Sequence, residues 1–145
     1  MSVEQNKATL RRIYAEIWNK GNWSVIPELI APSYHYSNRK GHQGYKENVS
    51  SARSAFPDLH YTIDAMVGEG NWVAVRLSET GTMKGKYFNS EPTGKRYTGT
   101  RAVFYRFARG KLVEAIPFAN ALPVYQQLGI TPPAAPAPAP AARAR

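Results

Sequence analysis

The chain is 145 residues long, contains no cysteine and carries a formal net charge of +9. That length suits one domain with one core, and the lack of cysteine excludes disulfides, thiolate nucleophiles and thiolate-held metals. No apolar run approaches the roughly 18 residues of a membrane-spanning helix, and MSVEQNKATLRRIY at the amino end lacks the apolar stretch and cleavage site of a secretory signal, so a soluble cytoplasmic protein is expected.

Ser2 and Gln5 fit a capping box, and Leu10, Ile13, Tyr14, Ile17 and Trp18 recur at helical spacing until Gly21 ends the run. A second, short helix is predicted over residues 25–30, with Ser24 as its cap, Pro27 in the first turn and Pro32 as its stop. Residues 33–37 form a short predicted strand and 39–44 a loop. A third helix over 45–56 carries Tyr45, Val49, Ala52 and Phe56 inward and closes at Pro57.

From there the period changes to two. Tyr61, Ile63, Ala65 and Val67 alternate with His60, Thr62, Asp64 and Met66 on a strand ending at Gly68. Strands over 72–83, 96–108 and 111–120 follow, the last two joined by a tight Arg109-Gly110 turn, to give an antiparallel meander. Residues 85–95 make a long edge connection, and 122–128 a last turn or two of helix. Residues 1–130 thus form the domain, and 131–145, rich in proline and alanine, a tail too poor in large apolar groups to pack. The fold class is α+β, with three amino-terminal helices on one face of a curved, mostly antiparallel sheet. A pocket is left where helices and sheet do not fully meet.

The phrases YAEIWNKGN, ELIAPSY, AFPDL, VAVRL, GTMKG, PTGK, GKLVE and QQLG, in this order and spacing from residue 5 to about 129, resemble the SnoaL-like polyketide or ester cyclase family of the NTF2-like superfamily. The resemblance implies a cone-shaped α+β fold, a homodimer closed through the outer sheet face, no metal and no redox cofactor. The best-known members close rings by intramolecular aldol chemistry. The family pattern carries a catalytic Asp on the last strand, which falls here on Asn120, and a preceding His-Trp pair, which falls on Ala115 and Ile116. Two further family histidines fall on Ser37 and Met83. The inherited acid-base groups are therefore replaced.

Strand parity suggests substitutes, since residues two apart share a side. His35 would share the side of Ser37 and supply an imidazole for acid-base work. Glu79 would share the side of Met83, a buried carboxylate able to act as acid or base unless a bulge intervenes. Ile116, Phe118 and Asn120 share a side, which would put the Asn120 amide where it can donate to an enolate or oxyanion. The catalytic candidates are therefore Asn120, His35 and Glu79. Ser37, Met83, Ile116, Phe118 and Tyr61 are the candidates for substrate contact.

The three histidines do not pair at ligand spacing, so a metal site is not expected, and the resemblance implies no other cofactor. Basic residues are scattered over separate elements and form no stripe, which speaks against a nucleic-acid partner. The resemblance, with the apolar replacements at Met83, Ile116 and Phe118, implies a cofactor-independent cyclase or isomerase with a hydrophobic, oxygenated, polyketide-like substrate. The alternatives are a non-catalytic binder of small molecules and an interaction module using its basic surface.

Overall fold

The Gln5 amide donates to the Ser2 hydroxyl at 3.1 Å while the Gln5 side chain accepts from the Ser2 amide at 2.9 Å. This capping box starts α1 (Val3–Arg12) in the computed structural model, which describes residues 2–133. Leu10, Ile13 and Ile17, at the predicted spacing, are fully buried. After Arg12 the helix widens into a π-helical segment, Ile13–Trp18, with the Asn19 amide bonded to the Tyr14 carbonyl at 2.9 Å. A one-turn 3-10 helix, Trp23–Val25, leads into α2 (Ile26–Leu29) with Pro27 in its first turn. The Ser24 hydroxyl donates to Asn22 instead of capping.

Strand β1 (Ile30–Tyr36) turns at Ser37, whose φ is +53°, into the two-residue β2 (Arg39–Lys40). Helix α3 (Gly41–Ala55) then begins four residues earlier than periodicity suggested. A side chain at position 44 would stand 3.0 Å from the Arg39 carbonyl carbon. Glycine there lets the first turn of α3 lie against β2.

The long strands β3 (His60–Glu69), β4 (Trp72–Thr82), β5 (Arg96–Ala108) and β6 (Lys111–Phe118) complete a six-stranded sheet of order β2-β1-β6-β5-β4-β3. Every neighbouring pair is antiparallel except β1 and β6, which run parallel. Helix α4 (Leu122–Leu128) closes the described chain. The expected tail falls almost entirely outside the described residues.

Two bulges decide which side chains face inward. On β3, Ile63 pairs with Leu77 and Ala65 with Arg76, so Asp64 is the extra residue. Beyond it Met66 turns toward the core and Val67 toward solvent, the reverse of the predicted alternation. On β6, Leu112 pairs with Phe107 but Glu114 with Arg106, so Val113 is extra and the parity counted from Leu112 inverts. Strand β4 pairs with β5 without interruption, and Val73, Val75, Leu77 and Glu79 all face inward.

Candidate active site

The concave face of the sheet meets α3 and the π-helical segment around a cavity of about 360 Å³. Eight of the chain's nine tyrosines stand on its wall, and only Tyr125 does not. The π-helical turn presents Tyr14 and Trp18 together, their rings stacked 6.3 Å apart. From α3 comes Tyr45, which accepts a hydrogen bond from the Trp18 indole at 3.0 Å. The sheet contributes Tyr61, Tyr97 and Tyr105, and the Tyr14 and Tyr105 hydroxyls bond each other.

Set into this aromatic wall is one ion pair. Glu79 on β4 is 5% exposed, and its Oε1 accepts from Arg101 Nη2 of β5 at 3.1 Å. The Arg101 guanidinium also lies over the Tyr61 ring, 5.8 Å from its centroid. Glu79 Oε2 and Arg101 Nε have no hydrogen-bond partner among the described residues. Unpartnered buried polar atoms are rare in folded proteins, and these two belong to one ion pair on a cavity wall.

Burial pushes the Tyr14, Tyr45 and Tyr61 hydroxyls well above the usual phenol value. It raises Tyr34 and Tyr97 too, and it carries Tyr87 and Tyr105 up to about 12. At neutral pH these hydroxyls therefore keep their protons and can act as donors. Tyr87 and Phe88 of the connection between β4 and β5 also line the cavity, as do Lys86 and Arg39. The side chains of Lys86 and Arg39 are 68% and 34% exposed, so both cations stand where the wall opens to solvent and form its mouth.

A profile of SnoaL-like polyketide cyclases matches residues 8–128. The chain belongs to the SnoaL-like polyketide cyclase family. Aklanonic acid methyl ester cyclase DauD of Streptomyces sp. (strain C5) is 25% identical over 128 residues, covering 83% of this chain and 80% of that protein. TsrD from Streptomyces laurentii matches with a TM-score of 0.83 at 19% identity, covering 90% of this chain and 99% of its own, a likeness of fold. A protein of Acidithiobacillus ferrooxidans is 31% identical with a TM-score of 0.76, covering 89% and 98% of the two chains. The architecture is an α+β cone, helices packed on a curved and mostly antiparallel sheet, in keeping with these likenesses of fold.

Within this SnoaL-like cone the sequence-derived candidates separate. Glu79 and Tyr61 are on the cavity wall. His35 is not: Tyr34 and Tyr36 face the cavity, and His35 points outward to Glu114 Oε2 at 3.1 Å, with Arg106 on the other carboxylate oxygen at 3.0 Å. Ser37 has left the strand for a left-handed turn, so parity counted from it fails. Met83 shares the side of Glu79 but lies fully buried off the cavity, where it receives the Thr93 hydroxyl at 3.7 Å.

The Val113 bulge turns Ile116 and Phe118 to the outer face, 37% and 58% exposed, and puts Ala115 and Pro117 on the cavity wall instead. Asn120 is exposed at the end of β6, where its Oδ1 accepts from the Leu122 amide at 3.3 Å and helps begin α4. It borders a separate outer hollow of about 750 Å³ lined by the hydroxyls of Thr62, Ser78, Thr80, Thr98 and Thr100. That hollow is larger, but it lies outside the sheet and lacks the aromatic wall. Sequence reasoning passed over Arg101 as one scattered charge. The available signal was parity, because Tyr97, Val103, Tyr105 and Phe107 flank it on the buried side of β5. Among the described residues no three His, Asp or Glu side chains gather to hold a metal ion.

Proposed function

We propose that this chain is a cofactor-independent cyclase or isomerase for a flat, oxygenated, polyketide-like molecule, with Glu79 moving the proton and Arg101 steadying the developing charge. The observation that carries this reading is the unpartnered Glu79 Oε2 beside Arg101 in a tyrosine-lined cavity. Aromatic side chains on several sides favour a flat ring system over a compact aliphatic one. The family and the DauD relative, an aklanonic acid methyl ester cyclase, point the same way.

In the mechanism, Glu79 Oε2 removes a proton from the carbon beside a substrate carbonyl. The enolate oxygen takes hydrogen bonds from Arg101 and from protonated tyrosine hydroxyls, which are already oriented when the charge appears. The enolate carbon then attacks a second carbonyl held within reach by the walls. The new alkoxide recovers the proton from the Glu79 carboxylic acid, so the cycle closes with no net proton change.

The test uses Glu79→Gln, which keeps the shape and can still accept from Arg101. With aklanonic acid methyl ester as probe, formation of the isomeric ring-closed product, separated from the probe by liquid chromatography, should fall by about 100-fold or more, while thermal stabilisation by the probe persists. Equal turnover by both proteins would remove Glu79 from the chemistry. Tight binding with no turnover by the wild type would favour a non-catalytic binder.

The exposed apolar side chains Trp72, Phe104, Ile116 and Phe118 on the outer sheet face support a homodimer closed through that face. Phe104 and Phe118 pack edge to face there, 5.9 Å apart.

A further inference from the structure

The charged side chains on the cavity wall are unequal in sign. Arg39, Lys86 and Arg101 face a single carboxylate, Glu79. Arg101 is matched by Glu79, which leaves Arg39 on β2 and Lys86 on the β4–β5 connection as a cationic rim. Each rim cation does have an acidic neighbour, Glu47 at 3.4 Å for Arg39 and Glu91 at 3.1 Å for Lys86. Those carboxylates lie outside the cavity wall, and their side chains are 52% and 76% exposed. Pairs so open to water hold their partners weakly and exchange them readily. A neutral ligand would leave this rim without a function, and the chain's charge of +9 adds a field that draws anions toward the mouth.

We propose that the molecule taken by this cavity carries a free carboxylate, which Arg39 and Lys86 grip at the mouth while its ring system reaches Glu79 and Arg101. This rests on the cavity reading above and narrows it to an acid in place of an ester. The guanidinium can take both carboxylate oxygens in its planar fork, and the lysine supplies a mobile point charge on the facing loop. The two cations thereby set the direction in which the substrate enters, with its anionic end outward and its reacting carbonyls toward the ion pair. Discrimination comes from the rim and proton transfer from the interior, so the two should be separable by mutation.

The experiment is calorimetric titration of anthraquinone-2-carboxylate and of its methyl ester into the wild type, the Arg39→Gln/Lys86→Gln double variant and Ala115→Trp. The wild type should bind the acid about tenfold more tightly than the ester, and added salt should shrink the difference. The double variant should bind both probes equally, at the ester's affinity. Ala115→Trp, which fills the interior, should weaken both.

Equal affinity of the wild type for acid and ester overturns the inference while leaving the cavity reading intact. So does a preference that survives in the double variant. Undiminished acid binding in Ala115→Trp, or no binding of either probe by the wild type, overturns the cavity reading and this inference together.

Discussion

Arg101 holds the charge of Glu79 inside an aromatic wall, so its removal strands a carboxylate that is 5% exposed. Breaking one side of a fully buried ion pair costs about 3–5 kcal/mol. Because 31% of the Arg101 side chain opens to the cavity, Arg101→Met should cost about 3 kcal/mol, read as a lower urea midpoint. Adding Glu79→Leu to that variant should recover most of the loss, since an apolar pair of similar volume replaces an ion pair at little cost. A single variant as stable as wild type would show that the carboxylate does not depend on its partner. At this scale parity placed Glu79 on the inward side because no bulge interrupts β4 against β5, and Tyr61 because it precedes the Asp64 bulge of β3. It misplaced Ile116 and Phe118 because the Val113 bulge leaves no mark in residue type. His35 was put on the cavity side by parity counted from Ser37, which has left the strand for a left-handed turn, and its neighbours Tyr34 and Tyr36 hold the inward positions.

Among the elements, the junction between α3 and β3 is tied to the end of β4 by one side chain. Asp58 accepts from the Thr82 amide and from the Thr82 hydroxyl, both at 2.7 Å. The amide bond, with the hydroxyl adding to it, holds the Asp58 carboxyl below its ordinary value. A group depressed in the folded state stabilises it above the unfolded pKa, about 3.9 for Asp, and that contribution is lost as pH falls through the folded value. The stability difference between wild type and Asp58→Asn should therefore be largest near neutrality and shrink on acidification below about pH 4. Urea midpoints across the acid range measure this, and a difference independent of pH would rule the tie out as a source of acid sensitivity. The element boundaries were legible where chemistry marks them, as at the capping box of α1 and the Arg109-Gly110 turn before β6. The early start of α3 was hidden by two poor helix formers, Gly41, which takes a left-handed φ of +66°, and Gly44, which allows a close approach to β2. The π-helical turn was invisible because Tyr14 and Trp18 suit a helix of either width.

At the scale of the molecule, a sheet with one face committed to the cavity leaves Trp72, Phe104, Ile116 and Phe118 on the other. Charges at two of these positions, Phe104→Glu with Phe118→Glu, should convert a dimer to a monomer in light scattering while the cavity still takes its ligand. An unchanged mass would place any association elsewhere. The cone and its hollow could be anticipated, since three helices set against one face of a curved sheet cannot fill it. What fills the remainder could not, because tyrosines look like wall residues in sequence and only the fold gathers eight of them around one ion pair. The Trp18 indole, bonded to Tyr45 and edge-on to Tyr61 at 5.3 Å, sits on that wall, while Trp72 lies on the opposite face of the sheet. Two of the three tryptophans thus stand at separate addresses, one whose emission a bound anthraquinone probe would quench and one that subunit association would shield, so in a Trp23→Phe background occupancy and assembly can be followed optically without a label.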